Sequence, residues 1–291
     1  MLYQQTTLNV NGRLLDLIDP IVMGIINVTP DSFHKGSRMT SEKMVLDEAE
    51  RMITEGVAIL DVGGMSSRPG AEIISEAEEM NRVVPFVKTI AQHFPEAIIS
   101  IDTLRASVAR ACVNEGAGII NDISAGTYDE AMFRTVAELK DVPYILMHKK
   151  GATPATMQKA AVYDDIMVEI LDFFIEKVGI LRGMNVKDII IDPGFGFGKT
   201  IEHNFTVLKK MHVFKILEVP ILAGLSRKSL IWKTLEITPE EALNGTTVLN
   251  VIAMQQGASI LRVQDVKEAV QTIKLFKRCT LISPRTLKGQ G

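Results

Sequence analysis

The hydrophobic positions of this chain follow a repeating pattern from residue 21 onward, in which short apolar runs alternate with longer amphipathic segments. The runs are almost continuously hydrophobic, which is typical of parallel strands that are buried on both faces. This pattern predicts eight strands, at residues 21–27, 57–62, 97–102, 118–123, 143–148, 188–192, 219–224 and 258–263. Apolar residues at helical spacing predict eight helices, at residues 41–55, 75–92, 105–115, 129–139, 163–183, 202–212, 239–256 and 265–278.

Regular alternation of strands and helices predicts an α/β protein with a parallel sheet, and eight units over about 250 residues match a (β/α)8 TIM barrel. A doubly wound open sheet is the alternative, although that fold does not normally need eight units. The side chains of Ser41, Ser75, Thr103 and Thr238 are predicted to cap helices, because each stands just before a helical pattern.

The N-terminal segment has a different pattern. Asn11 and Gly12 lie between two short alternating runs, which predicts a β-hairpin within residues 1–20 that covers the bottom of the barrel. No linker or shift in composition follows, so we expect a single domain over residues 1–291, with residues 283–291 as a flexible tail.

Composition narrows the classes of partner. The net charge of −3 gives no general attraction to nucleic acid or to anionic membranes. The two cysteines lack the spacing of a zinc site, and no apolar run is long enough to span a membrane. These features favour a cytoplasmic protein in which any anionic ligand is bound by local cations.

Polar residues stand at the ends of nearly all predicted strands. In a barrel these ends meet at the face that carries active sites, so the side chains are expected to converge. They are Asn27, Asp61, Asp102, Asn121, Asp122, His148, Asp192, the turn Ser226–Arg227–Lys228, and Arg262. Each could instead cap the next helix, an alternative that is strongest where Thr103 follows Asp102 and Ser124 follows Asp122. His148 could act as a base, although a lone histidine is more often a hydrogen-bonded part of the scaffold.

The stretch Ile191–Lys199, with the sequence IDPGFGFGK, is the most distinctive of these strand ends. Its glycine spacing fits neither a phosphate-binding Walker loop nor a dinucleotide fingerprint. We interpret it as a carboxylate beside a backbone that approaches a ligand closely. Together with Asp102, Asn121, Lys228 and Arg262, Asp192 suits a flat heterocycle with an amidine-like edge, because a carboxylate can accept two neighbouring N–H groups.

Two long loops follow the first two strands, at residues 27–36 and 63–71. Both are rich in Gly, Pro and Ser, so they are either ordinary surface loops or lids that carry Asp31, Phe33 and Arg68 over a substrate.

Eight motifs in register resemble those of the dihydropteroate synthase family, which binds pterins. They are MGIINVTPDSF (23–33), DVGGMSSRPGA (61–71), ISIDT (99–103), IINDIS (119–124), LMH (146–148), IDPGFGFGK (191–199), GLSRKS (224–229) and RVQDV (262–266). The resemblance implies a transferase of folate biosynthesis, which joins 6-hydroxymethyl-7,8-dihydropterin diphosphate to 4-aminobenzoate. It also implies Mg²⁺, a homodimer with the last helix as a candidate surface, and a sulfonamide target. Dissociative loss of diphosphate fits a site without a convincing covalent nucleophile.

The resemblance assigns roles residue by residue. The pterin pocket is expected to use Asp102, Asn121, Asp192, Lys228 and Arg262, with Met147 and Phe195 packed beside it. The 4-aminobenzoate site is expected to use Phe33, Ser67, Arg68, Pro69 and Ser226. Asn27 is the expected ligand of Mg²⁺. The residues expected to take part in catalysis are Asp31, Arg68, Lys228 and Arg262.

Some positions depart from the family pattern. Gln264 stands where the family usually has a histidine that contacts diphosphate, while Met65, Ser67 and the pair Lys149–Lys150 are milder departures. Two other functions therefore stay open. One is a pterin-binding barrel of another reaction class, such as a methyltransferase that uses a reduced folate. The other is a non-catalytic paralogue, for which Gln264 is the only motive.

Overall fold

A computed structural model describes residues 5–28, 38–65, 73–151 and 161–280, with residues 38–41 described by their backbone alone. Within these ranges the first two strands, β1 (Thr7–Val10) and β2 (Arg13–Asp16), form an antiparallel hairpin. Asn11 and Gly12 both have positive φ at its turn, +50° and +82°, which suits these two residue types. The predicted hairpin is confirmed.

Eight further strands form one parallel sheet. They are β3 (Ile21–Asn27), β4 (Ile59–Gly63), β5 (Ile98–Asp102), β6 (Ile119–Asp122), β7 (Tyr144–Met147), β8 (Ile189–Asp192), β9 (Leu222–Ala223) and β10 (Ile260–Val263). The spatial order is β8-β7-β6-β5-β4-β3-β10-β9. A parallel bridge between Ile191 and Ile221 links the two outer strands and closes the barrel. The TIM barrel is confirmed, and the open doubly wound sheet is wrong.

The helices surround this barrel. They are α1 (Arg38–Glu55), α2 (Glu76–His93), α3 (Ala106–Asn114), α4 (Met132–Glu138), α5 (Ile166–Gly183), α6 (Ile201–Lys210), α7 (Ser229–Leu235), α8 (Leu243–Gln255) and α9 (Val266–Thr280), with a 3-10 helix at Met211–Leu217. The sequence pattern missed α7, because its seven residues are fewer than a periodicity window needs. The predicted helix at 239–256 begins later, at Leu243, because residues 239–242 form turns.

One of the four predicted caps is confirmed. The Ser75 hydroxyl accepts from the Glu78 N–H at 3.2 Å and caps α2. The predictions for the other three are wrong. Ser41 lies inside α1, and Thr238 precedes a turn in which the Glu241 carboxylate accepts from the Thr238 N–H. Thr103 donates its hydroxyl to Glu79 instead of capping α3, whose N-cap is Arg105.

The lower half of the barrel interior is a dry apolar layer. Its members are the inward-facing residues of the strands together with three hairpin residues: Met23, Ile59, Ile119, Ile145, Ile190, Leu222, Ile260, Leu8, Val10 and Leu17. The hairpin therefore closes the bottom, as predicted. Because side chains alternate along a strand, positions two residues further on also face inward, and there the interior becomes polar.

A buried ion pair joins α2 to the start of α3. Glu79 is fully buried and pairs with Arg105, while the Thr103 hydroxyl donates to the same carboxylate at 2.6 Å. Arg105 also donates to the Ile74 carbonyl at 2.6 Å and lies over the Tyr128 ring. The charge of Glu79 is thus balanced by one cation and one hydroxyl in a site that water does not reach.

The predicted tail at residues 283–291 lies outside the described residues. Among the described helices, none combines the length and apolarity that crossing a bilayer requires.

Replacing Arg105 with Ala is expected to destabilise the fold strongly, because it leaves the Glu79 carboxylate buried without its cation. Breaking a buried pair in this way costs about 3–5 kcal/mol in the free energy of unfolding. Arg51→Ala is the control, since Arg51 forms ion pairs with Glu48 and Glu55 on the exposed face of α1 and such pairs contribute about 0–1 kcal/mol. Urea unfolding of both variants measures the difference, and equal losses would contradict the role of the buried pair.

Candidate active site

The upper half of the barrel interior collects the polar residues of the strand ends. Asp61, Asn121, Asp192 and Arg262 each follow a residue of the apolar bottom layer by two positions, so they share its inward direction. Strand pairing sets their heights, since Asp102 lies opposite Asn121 and Met147 lies opposite Asp192. The predicted convergence of these side chains is therefore found at one end of the barrel.

Arg262 is held by two carboxylates. Its Nε donates to Asp61 Oδ2 at 2.7 Å, and its Nη2 lies 2.6 Å from the same oxygen. Nη2 also donates to Asp102 Oδ2 at 2.8 Å. The guanidinium is thus fixed across β10, β4 and β5, with one edge turned toward the carboxylates.

Asp61 is the member of the site whose importance sequence reasoning missed. Its side chain is fully buried, and its Oδ2 accepts from Asn121 Nδ2 at 3.1 Å in addition to Arg262. Asp61 is one of the polar residues predicted at the strand ends, but the sequence assigned no role to it. Its spacing of two from the buried Ile59 was the signal that could have placed it inside the barrel.

Lys228 and Asp192 meet on the other side of the site. A Cβ built on Gly224 would lie 3.7 Å from Lys228 Nζ and 3.9 Å from Asp192 Oδ2, so both charged groups border this glycine. Lys228 donates to the Phe195 carbonyl and lies 4.8 Å from the centroid of the Phe197 ring. Asp192 Oδ1 accepts from the Gly194 N–H at 2.7 Å, which leaves its second oxygen for another donor.

The glycines of the IDPGFGFGK stretch have a different purpose from the one predicted. Gly194, Gly196 and Gly198 all have positive φ, at +69°, +85° and +66°. A Cβ on Gly194 would lie 2.0 Å from the His148 carbonyl oxygen, and one on Gly198 would lie 2.2 Å from that of Lys150. The close approach at these two glycines is to the protein's own backbone, so the prediction of a ligand there is wrong. Gly196 alone borders the site, at Lys228.

Lys199 organises this stretch and was also missed. Its buried ammonium group lies 3.0 Å from His148 Nδ1 and donates to the carbonyls of Gly194 at 3.0 Å and Phe197 at 3.2 Å. Burial lowers the pKa of Lys199 to about 7, against the opposing effect of Asp192. Lys199 therefore ties the glycine-rich turn to the end of β7 from below the site.

His148 is scaffold, as the sequence favoured. Burial, aided by Lys199 and Lys150, lowers its pKa to about 2, so the imidazole is neutral and accepts at Nδ1. The Phe173 ring packs edge-on against it at 5.0 Å. A histidine enclosed in this way has no free nitrogen lone pair for a substrate, and the alternative of a catalytic base is not supported.

Asp122 faces away from the site, but it does not cap the next helix, since the N-cap of α4 is Ala131 without a side-chain cap. Its two oxygens accept from the Ser124 N–H at 2.7 Å, the Ser124 hydroxyl at 2.6 Å, the Gly126 N–H at 2.8 Å and the Tyr144 hydroxyl at 2.7 Å. All of these partners stabilise the turn after β6. Asp122 is thus structural, whereas its neighbour Asn121 points into the barrel.

Burial also shifts the pKa values of the charged groups that face the site. It raises the pKa of Asp102 to about 7, although Arg262 opposes this shift. It raises the pKa of Asp192 as well, against Lys228. The pKa of Lys228 falls to about 8, because burial outweighs the attraction of Asp192 and Arg262 adds repulsion. Burial thus moves the pKa of Asp102 up and that of Lys228 down, toward each other.

The other predicted residues divide into three groups. Met147 and Phe195 are buried beside the site, as expected for packing neighbours. Ser226 accepts from the Gln264 backbone N–H at 3.2 Å, and Asn27 lies exposed at the end of β3. The remaining predicted residues lie outside the described part of the chain: Asp31, Phe33, Ser67, Arg68 and Pro69.

Comparisons with known proteins agree with this arrangement. The profile of the family described as "Pterin binding enzyme" matches residues 23–264. A dihydropteroate synthase of Escherichia coli (strain K12) is 43% identical over 268 residues, which cover 91% of this chain and 94% of the relative.

Solved structures give the same result. A Yersinia pestis dihydropteroate synthase with a sulfonamide drug complex is 39% identical, with a TM-score of 0.85 over 94% of this chain and 99% of that chain. A Xanthomonas albilineans dihydropteroate synthase with 4-aminobenzoic acid is 36% identical, with a TM-score of 0.88 over 96% of this chain and 100% of that chain. The chain therefore belongs to the pterin-binding enzyme family and, within it, to the dihydropteroate synthases.

Proposed function

We propose that the upper barrel binds 6-hydroxymethyl-7,8-dihydropterin diphosphate through Asp102, Asn121, Asp192, Lys228 and Arg262. The reaction joins this substrate to 4-aminobenzoate, giving 7,8-dihydropteroate and diphosphate, as a transferase step of folate synthesis. The observation that carries the assignment is the convergence of two carboxylates, an amide and two cations on one inward-facing layer. That donor and acceptor set matches the edge of a pterin ring.

Asp192 is the proposed acceptor for the amidine-like edge of the ring. One of its oxygens already accepts from the Gly194 N–H, which fixes the plane of the carboxylate. The other oxygen borders Gly224, where the lack of a side chain leaves space beside Lys228. The Lys228 ammonium group would then donate to a ring oxygen or nitrogen, while Asn121 and Asp102 bind the opposite edge.

Arg262 is the proposed link between the ring and the leaving group. Its Nε and Nη2 are bonded to Asp61 and Asp102, and no described residue accepts from Nη1. The Nη1 hydrogens are therefore the ones open to a diphosphate oxygen. A guanidinium that is held from behind loses little freedom when it binds an anion.

The chemistry needs no covalent intermediate with the protein. The bond between the methylene carbon and the diphosphate oxygen breaks with its electron pair on diphosphate, and the cation left behind is delocalised into the electron-rich ring. The amino nitrogen of 4-aminobenzoate then forms a bond to that carbon and loses a proton. Arg262 stabilises the departing anion, which is the main electrostatic requirement of the step, while Lys228 stays bonded to the ring.

Mg²⁺ is the proposed cofactor, and the described residues offer it one side-chain oxygen, that of Asn27. Within the described ranges no group of three His, Cys, Asp or Glu side chains could hold a metal ion. Asn27, exposed at the end of β3, offers one neutral oxygen, and Mg²⁺ commonly binds through one or two protein ligands plus substrate phosphates. When bound, the ion would neutralise charge on the diphosphate.

The 4-aminobenzoate site is assigned to Phe33, Ser67, Arg68, Pro69 and Ser226 by the family resemblance, with Asp31 and Arg68 also taking part in catalysis. The binding of 4-aminobenzoic acid and of a sulfonamide drug by the two solved relatives supports this subsite and a sulfonamide target here. Ser226 already accepts from the Gln264 N–H, so it faces the end of β10. A flat aromatic substrate suits the apolar Phe33 and Pro69.

A cytoplasmic homodimer completes the proposal. Both cysteines are free, Cys112 in the core and Cys279 at the surface, which suits a reducing compartment. Leu275 on α9 and Val248 on α8 are 70% and 51% exposed on two helices that pack side by side. An apolar surface of this kind, including the last helix, would be covered in a dimer.

Incubation of the protein with the pterin diphosphate, 4-aminobenzoate and Mg²⁺ tests the proposed reaction. Diphosphate release that depends on 4-aminobenzoate, with formation of 7,8-dihydropteroate, is expected. No 7,8-dihydropteroate should form when 4-aminobenzoate is replaced by benzoate, which lacks the attacking amine. Bound pterin without release would favour the non-catalytic or methyltransferase alternatives.

Asp192→Ala is expected to weaken binding of the pterin diphosphate by roughly 10- to 100-fold, because it removes a charged acceptor of the ring edge. Calorimetric titration measures the affinity, and circular dichroism verifies the fold. Asp172→Ala is the matched control, since Asp172 is exposed on α5, outside the site. Unchanged affinity in Asp192→Ala would mean that the ring binds elsewhere.

The pH dependence of kcat/KM for the pterin diphosphate is expected to be bell-shaped. The raised pKa of Asp102 places its protonation near pH 7, so binding weakens below that value as the carboxylate becomes neutral. The lowered pKa of Lys228 places its loss of charge near pH 8, so activity falls above it. Initial rates across pH measure both limbs. The acid limb should be absent from the pH profile of Asp102→Asn. An acid limb that persists in this variant would belong to another group.

A further inference from the structure

Arg227 lies between two residues of the proposed site, Ser226 and Lys228, in a backbone conformation that is rare outside glycine. Its φ is +50°, in the left-handed region. The turn at Arg227 reverses the chain between β9 and α7, so that Lys228 becomes the N-cap residue of α7. A residue with a Cβ keeps such a conformation only where its surroundings hold it.

The side chain of Arg227 provides that support. Its Nε donates to Asp265 Oδ2 and its Nη2 to Asp265 Oδ1, both at 2.9 Å, which is the two-pronged geometry of a guanidinium with a carboxylate. Its Nη1 donates to the carbonyls of Pro239 at 3.1 Å and Glu240 at 2.5 Å. All three nitrogens are bonded within the protein, so this cation is not available to a substrate.

The backbone of Arg227 is held as well. Its N–H donates to the Thr246 hydroxyl at 3.0 Å, and that hydroxyl, buried in α8, donates in turn to the Ala242 carbonyl at 2.8 Å. The turn is thus fixed to α8 through its backbone and to the start of α9 through its side chain.

We propose that Arg227, paired with Asp265, is a positioning residue that sets the place of the Lys228 ammonium group relative to the Arg262 guanidinium. Lys228 follows Arg227 directly, and Arg262 precedes Asp265 by three residues. The ion pair therefore joins the two segments that carry the two cations of the site. The Gln264 N–H to Ser226 Oγ bond joins the same two segments at a second point.

The inference rests on the proposed role of Lys228 and goes beyond it. From the N-cap position of α7, Lys228 reaches the Phe195 carbonyl and the border of Gly224. A small shift of that position would move the ammonium group out of its partly buried place. Displacements of about 1 Å at a reacting group can lower a rate by about 100-fold.

Arg227→Lys and Arg227→Gly test the proposal with the full-length enzyme. Lysine keeps the charge but not the two-pronged bond, whereas glycine keeps the positive φ without any side chain. Both variants, and Asp265→Asn, are expected to lower kcat/KM for the pterin diphosphate by roughly 10- to 100-fold. Arg134→Lys, on the exposed ion pair with Glu138 of α4, is the matched control and should be unchanged.

The alkaline limb of the pH profile separates positioning from a merely structural role. The charged groups that act on Lys228 are Asp192 on β8, Arg262 on β10 and Lys199. If Lys228 leaves its buried place in the Arg227 variants, its limb should move up from about 8 toward the ordinary value of 10.5. The proposal would be overturned if the alkaline limb stayed in place and the activity fell only as far as the midpoint of thermal unfolding falls. Full activity in Arg227→Gly would also overturn it, because the turn conformation alone would then suffice.

Lys228→Ala distinguishes the failure of this inference from that of the proposed function. We expect Lys228→Ala to be impaired and Arg227→Lys to add no further loss in its background, because both act through one ammonium group. Full activity in Lys228→Ala would refute the role of Lys228 and with it the inference. An impaired Lys228→Ala beside a fully active Arg227→Lys would refute the inference alone.

Discussion

The ion pair between the buried Asp61 and Arg262 is the interaction on which the arrangement of the site depends. A carboxylate with no exposed surface is costly unless it is paired, and Asp61 is paired at one oxygen with Arg262 and Asn121. Its second oxygen, like the hydroxyl of Ser100 beside it in register, is buried without a partner among the described residues. The pair thus holds the Arg262 guanidinium in place, at the desolvation cost of a buried carboxylate.

The dry lower half of the barrel makes such a polar layer possible. Met23, Ile59 and Ile260 and their neighbours form an apolar floor that the hairpin seals from below. The charged layer lies above this floor, where ion pairs already orient its groups. Burial also moves the pKa of Asp102 up to about 7 and that of Lys228 down to about 8, so the same floor tunes the charges of the site.

Most of the fold followed from the sequence, because strands buried on both faces leave a continuous hydrophobic signal and the barrel needs eight of them. The polar strand ends were also visible. The sequence could not tell Asn121, which faces the barrel, from Asp122, which is bonded to Ser124, Gly126 and Tyr144. Neighbouring residues of a strand point to opposite faces, and only the register of each strand decides which one is inside. The bonds of Asp61 to Arg262 and of Lys199 to His148 could not be predicted, since they join residues far apart in the chain. The inward direction of Asp61 alone followed from its spacing to Ile59.

The glycine-rich stretch after β8 packs against the protein's own backbone at two of its glycines. Positive φ at Gly194 and Gly198 is real, yet the space that a side chain would fill is occupied by the His148 and Lys150 carbonyls. Lys199 draws these segments together from below by bonding to both. The stretch therefore acts on the proposed site mainly through the groups that it holds in place. Asp192 at its start accepts the Gly194 N–H, and the Phe195 carbonyl accepts from Lys228. Within this stretch Asp192 and Gly196 border Lys228, whereas Gly194 and Gly198 pack against the backbone that follows β7, so most of the motif is explained by packing between these two segments.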